Sequence, residues 1–135
     1  MDEGTTASVT AWPGPIAAIT LFMPDLDAAK RFYQDVFGLP VFYEDDNSAV
    51  FKFDATLINL LKETEAPALV DPAQVAPVGS GVRYQFTLGV DDVDAKCVEL
   101  EERGVELLNG PMDRPWGIRT ASFRDPGGHI WEIAH

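Results

Sequence analysis

One segment of this chain occurs twice. "TLFMPDLDAAK" (Thr20 to Lys30) aligns with "TLGVDDVDAKC" (Thr87 to Cys97), so that Thr20 falls on Thr87, Leu21 on Leu88, Asp25 on Asp92, Asp27 on Asp94 and Ala28 on Ala95, at an offset of 67 residues. Two copies are too few for a solenoid, whose units need neighbours on both sides. In a chain of 135 residues they describe a duplicated module within one domain. Any fold for this chain must therefore accommodate the same unit twice.

Each copy opens with a strand. Ile19, Leu21 and Met23 alternate with Ala18, Thr20 and Phe22, and Phe86, Leu88 and Val90 alternate with Gln85, Thr87 and Gly89. Each strand ends at an acidic turn whose aspartate can cap a following helix. The first helix reads "DLDAAKRFYQDVFG", with Leu26, Ala29, Phe32, Tyr33 and Val36 on one stripe and Gly38 as its stop. The second reads "DVDAKCVELEERG", with Val93, Cys97, Val98 and Leu100 apolar and Gly104 as its stop. Three strands follow each helix: "PVFYE", "AVFKF" and "TLINLLK" in the first half, "VELLN", "IRTASF" and "HIWEIAH" in the second.

The organisation is then a flexible N-terminal segment over 1–13, a module over 14–62, an irregular connection over 63–81 with Pro67, Pro72 and Pro77, and a second module over 82–135. The class is α+β. One face of most strands packs on a helix, and the other lines a concave trough. Phe22, Leu57 and Leu61 share that inner face and give it apolar walls, which suits an organic ligand.

Composition removes several function classes. The net charge is −12, from 22 acidic and 10 basic residues, which opposes binding to a nucleic-acid backbone and is compatible either with a cationic small-molecule ligand or simply with solubility. No apolar run reaches the length of a membrane helix. The acidic start does not read as a signal peptide, and the single Cys97, a small core residue on a helix, fits a reducing cytoplasm. There is no glycine-rich phosphate loop and no Gly-x-Ser-x-Gly elbow.

"PDLDAAKRFYQDVFGL", together with "DPGGHIWEI" near the C-terminus, resembles the vicinal oxygen chelate superfamily, which includes glyoxalase I, bleomycin-resistance proteins and extradiol dioxygenases. The resemblance covers residues 15 to 135. It implies two tandem βαβββ modules forming a curved mixed sheet, or half-barrel, around a cleft, with helices on the outer face. It also implies a homodimer, with modules often exchanged or paired across the interface.

Where members of that family bind a metal, its ligands come from the first and last strand of each module. The matching positions here are Ala18, Asn59, Gln85 and Glu132. Alanine donates nothing, the two amides are weak neutral donors, and only Glu132 is a good ligand for zinc, nickel or iron. An extradiol iron site needs two histidines and a carboxylate. His129 and His135 both fall in the last seven residues, on the face opposite Glu132 or beyond it. No cofactor is therefore expected.

Glu132 still needs partners. Gln85 and Asn59 should share its face, and Arg119, one strand earlier, could pair with it bidentately. Such a cluster is either the polar floor of a ligand pocket or a structural tie between the halves. Without a cationic partner, burial should raise the Glu132 pKa and suit it to general acid or base work. Trp116, on the Pro- and Gly-flanked loop "PMDRPWGIR", either stacks on a flat or cationic ligand or plugs the end of the sheet. Trp131, opposite Glu132 in the alternation, packs on a helix.

The leading reading is a metal-independent, cytoplasmic protein that binds an aromatic or cationic small molecule through Phe22, Asn59, Gln85, Trp116, Arg119 and Glu132. The alternative is a lyase or isomerase of the same superfamily that uses Glu132 as its catalytic group, with or without a weakly held divalent metal. A non-catalytic dimer whose cleft is filled by its own side chains stands as a third.

Overall fold

Asp25 and Asp92, the two aspartates matched by the repeat, cap helices in the same way. Both are extended at the backbone, and each side chain accepts a hydrogen bond from the backbone N–H three residues on, Ala28 at 3.1 Å and Ala95 at 3.0 Å. The structure, a computed structural model, describes residues 12–135. The expectation of a flexible segment over 1–13 concerns, for residues 1–11, positions outside the described residues.

The first half contains β1 (Ala18–Met23), α1 (Leu26–Val36), β2 (Tyr43–Glu44), β3 (Ser48–Phe53) and β4 (Thr56–Lys62). The second contains β5 (Phe86–Gly89), α3 (Val93–Glu102), β6 (Leu107–Asp113), β7 (Arg119–Arg124) and β8 (Ile130–Ala134). Each half closes its own four-stranded sheet with one topology. The orders are β1-β4-β3-β2 and β5-β8-β7-β6, with the first pair of each parallel and the rest antiparallel. The expected pattern of strand, helix and three strands, twice, is what the chain forms: two open curved mixed sheets rather than a closed barrel.

Three local readings need correction. "PVFYE" contributes only the two residues of β2, because Pro40 has no N–H to donate to a ladder and the segment lies at the sheet edge. The connection is not wholly irregular: it begins with a 3₁₀ turn at Glu63–Glu65 and a one-turn helix, α2 (Pro67–Val70), with Pro67 at the first helical turn. "VELLN" is displaced, since β6 runs past Pro111 to Asp113 with two register shifts against β7. Gly110 permits this path. Its φ is +87°, and a Cβ there would lie 2.5 Å from the Thr120 carbonyl oxygen.

Leu26, Ala29, Tyr33 and Val36 form the buried stripe of α1, and Val93, Cys97 and Leu100 that of α3. Val98 falls off that stripe and is exposed. One core joins both halves. Phe32 and Phe37 on and just after α1 pack on Phe123 of β7, and Phe53 of β3 stacks on Trp131 of β8 with centroids 5.1 Å apart. Trp131 thus lies on the helix-facing side, as the alternation requires. The helix-facing sides of the two sheets meet in this aromatic cluster, whose offset and edge-on pairs are the favoured geometries.

Candidate functional site

Strand alternation puts Ala18, Thr20 and Phe22 on the side of β1 opposite its core residues Ile19, Leu21 and Met23. Leu57, Asn59 and Leu61 occupy the same side of β4. The parallel register sets Asn59 opposite Thr20 in one sheet and Glu132 opposite Thr87 in the other. The repeat therefore produces two equivalent polar pairs. Asn59 Nδ2 donates to Thr20 Oγ1 at 3.4 Å, and Thr87 Oγ1 donates to Glu132 Oε1 at 2.8 Å. The second bond is short, as expected for a charged acceptor. Asn59 Oδ1 is buried and has no partner among the described residues.

The partner of Glu132 is thus Thr87. Gln85 is exposed and lies one residue before β5, on the same parity as Thr87 but two residues earlier in the chain. Arg119 does not pair with Glu132. It shares parity with the core residues Ala121 and Phe123, whereas Ser122 is the β7 residue opposite Glu132. Its guanidinium instead grips Asp94 of α3 through Nε and Nη2, at 2.8 and 2.9 Å, and Asp113 through Nη1 at 3.1 Å. The hydrogen bonds that Arg119 donates to these two carboxylates raise its pKa, and the bond from Arg119 lowers that of Asp94.

Trp116 occupies the tip of the β6–β7 hairpin, where Arg114 N–H bonds the Ile118 carbonyl at 2.7 Å. It is 69% exposed, so it does not plug the sheet. Beside that tip, Arg114 Nε donates to Thr120 Oγ1 at 2.8 Å, on the same side of β7 as Ser122. Sequence reasoning missed Arg114, Thr20 and Thr87 as polar groups of this surface. The signal for the two threonines was available, because the repeat superposes them and the alternation sets Thr20 beside Ala18.

Sequence reasoning also missed a buried network that joins the halves. Tyr33 hydroxyl donates to Asp125 Oδ2 at 2.7 Å, and Trp131 Nε1 donates to the Tyr33 oxygen at 3.1 Å. Asp125 Oδ1 accepts from the backbone N–H of Gly127 and His129, and the His129 ring Nδ1 lies 2.9 Å away. Burial, then the Asp125 charge, raises the Tyr33 pKa well above its ordinary value.

At the four family metal positions the structure offers no donor at Ala18, an amide on Asn59 facing Thr20, an exposed amide on Gln85, and a Glu132 carboxylate with one oxygen engaged by Thr87. Among the described residues, no three His, Cys, Asp or Glu side chains gather as a metal-binding group. One carboxylate and two neutral amides are a poor set for a transition metal. Also among the described residues, no helix is long and apolar enough to cross a membrane.

Comparison with known proteins supplies the family. Residues 15–133 match the model of the Glyoxalase/Bleomycin resistance protein/Dioxygenase superfamily. The chain is 33% identical over 119 residues to the uncharacterized protein YraH of Bacillus subtilis, covering 85% of this chain and 93% of that one. Among solved structures it is similar to a lactoylglutathione lyase from Agrobacterium tumefaciens, at 29% identity and a TM-score of 0.72, covering 90% of this chain and 93% of that one. It shares its fold with a glyoxalase/bleomycin resistance protein/dioxygenase from Nocardioides, at 23% identity and a TM-score of 0.82, covering 96% and 88% of the two chains.

Proposed function

The chain belongs to the Glyoxalase/Bleomycin resistance protein/Dioxygenase superfamily, and from that premise we propose that it binds a small aromatic or cationic organic molecule without a catalytic transition metal. The observation that carries this reading is the donor set: of Ala18, Asn59, Gln85 and Glu132, only one residue is a carboxylate, and it already accepts from Thr87 at 2.8 Å. The second Glu132 oxygen is an acceptor suited to a ligand that brings an N–H donor or a positive charge. A net charge of −12 raises the local concentration of such a cation.

The protein acts as a homodimer in the cytoplasm. The shared aromatic core occupies the helix-facing sides of the two sheets, and the Thr20–Asn59 and Thr87–Glu132 pairs lie on the opposite sides. A second copy that sets its own sheet across one of these faces completes a trough with Phe22, Leu57 and Leu61 as apolar walls. Equilibrium binding of the full chain to a panel of cationic and aromatic compounds tests the reading. Saturable binding that survives a chelator and is weakened by Glu132→Gln is expected. A stoichiometric divalent ion, with a thermal shift abolished by Glu132→Gln, overturns it.

Similarity to the Agrobacterium lactoylglutathione lyase favours one second reading, a lyase or isomerase in which Glu132 moves a proton. Turnover of lactoylglutathione, lost in Glu132→Gln, would establish that reading instead.

A further inference from the structure

The last turn of the chain builds a polar group that the trough does not use. Asp125 has a fully buried side chain, fixed by the Tyr33 hydroxyl and by two backbone N–H groups. All of these are donors, so the carboxylate acts as acceptor, and His129 Nδ1, at 2.9 and 3.1 Å from its two oxygens, donates to it. That bond requires a proton on Nδ1, so that in the neutral tautomer Nε2 is the hydrogen-bond acceptor. His129 is also one wall of a cavity of about 620 Å³ between the 125–130 turn and the inter-module connection. Phe22, Val78 and Ile130 supply apolar walls, and the Tyr84 ring lies 6.4 Å from the His129 ring. The volume falls within the range of small-molecule sites.

The charges around this space select the ligand. Arg83 and Glu63 both line it, and Asp125 lies directly behind His129. Tyr84 is held neutral, its pKa raised by burial and by the Asp125 charge, and Tyr33 beyond it likewise. A ligand arriving as an anion meets Glu63 and Arg83 on the wall, the Asp125 charge behind His129 and a net charge of −12. A neutral aromatic ligand with a weakly acidic hydroxyl meets apolar walls, an aromatic ring and one oriented acceptor.

We propose that this cavity is a second ligand site, sharing only the Phe22 wall with the trough, that takes a small phenol through the oriented His129. The phenol O–H donates to Nε2. In the ionised complex the O–H bond breaks and an N–H bond forms at Nε2. The resulting imidazolium faces Asp125, and the phenolate faces the imidazolium and Arg83. The site does not depend on how the trough is used.

4-Nitrophenol is a suitable probe, because its ionised form has its own absorption band. Titrated into the full chain at a pH where the free phenol is mostly protonated, it should bind saturably and develop the phenolate band. His129→Gln should weaken binding roughly tenfold, the loss of one charge-assisted hydrogen bond, and abolish the band. Because His129 also supports Asp125, Val78→Trp provides an independent variant: it fills the cavity from the connection side, leaves the Asp125 network intact and should abolish binding. Amide chemical-shift changes should cluster in 74–84 and 127–130. Shifts confined to positions 20, 59, 87 and 132, or a linear, unsaturable titration, overturn the proposal. The first of those results would still leave a trough that binds ligand, so failure here and failure of the proposed function are distinguishable.

Discussion

The Tyr33 hydroxyl donates to Asp125 Oδ2 at 2.7 Å, joining the helix of the first half to the last turn of the second. The same oxygen accepts from Trp131 Nε1, so one phenol satisfies a buried donor and a buried carboxylate together. A buried polar network rigidifies and specifies the packing around it when every member has a partner. This pair therefore fixes how the halves dock, in a way that the aromatic packing around it does not.

Removing that hydroxyl should be costly. Tyr33→Phe preserves the ring contacts with Phe37, Phe51 and Trp131 but leaves the indole N–H without an acceptor and Asp125 one donor short. The expected loss is about 1–3 kcal/mol. Urea unfolding followed by tryptophan fluorescence should show a lower midpoint with an unchanged m-value. A midpoint equal to that of the parent protein would mean that the network contributes nothing.

Stability should also fall on the alkaline side. The Tyr33 pKa in the folded chain lies well above the unfolded value, because burial and then the Asp125 charge disfavour the phenolate. The folded state therefore holds its proton where the unfolded chain has lost it. The contribution is fully present below about pH 10, the unfolded value, and disappears as pH rises toward the folded one. Tyr84, raised for the same two reasons, acts in the same direction. Melting temperatures recorded across this range should decline more steeply for the parent than for Tyr33→Phe, and most gently for Tyr33→Phe combined with Tyr84→Phe.

Gly127 should resist substitution although its backbone angles suit any residue. An added Cβ would lie 2.6 Å from His129 Cε1 and 2.8 Å from Met23 Sδ. Gly127→Ala must therefore move the imidazole away from Asp125 or push the β1 methionine, at about 1–3 kcal/mol. Gly38→Ala meets no atom within 4 Å and suffers only from its φ of +67°. Its cost should be about 1 kcal/mol. A reversed order in thermal unfolding would show that the turn is looser than its contacts imply.

Much of the fold was legible because duplication and alternation act on many residues at once. Ile19, Leu21 and Met23, with their repeats Phe86 and Leu88, point to the core from their parity alone, and Asp25 and Asp92 cap because the same three-residue geometry recurs. The site was less legible, since it depends on register between strands distant in sequence. Shifting a strand by one residue changes which side chains meet. Arg119 was assigned to Glu132 from proximity of their strands, whereas the β7–β8 register sets Ser122 opposite Glu132 and turns Arg119 toward Asp94. Asp125 carried no such signal, because nothing in "DPGGH" announces that Tyr33, 92 residues earlier, will meet it.

The Thr87–Glu132 bond supplies the sharpest test of the trough. The hydroxyl occupies Oε1 and orients the carboxylate, leaving the second oxygen for a ligand. If a cation binds there, Glu132→Gln removes the charge and should lower affinity by about ten- to a hundredfold, the worth of a charge-assisted hydrogen bond. Thr87→Val keeps the shape and the charge but frees the carboxylate to rotate, so its loss should be smaller, about severalfold, and should appear mainly as faster dissociation. Titration calorimetry gives the affinities and stopped-flow the rates. A Thr87→Val defect as large as that of Glu132→Gln would mean that the threonine, not the carboxylate, contacts the ligand, and the role given to Glu132 would have to be abandoned.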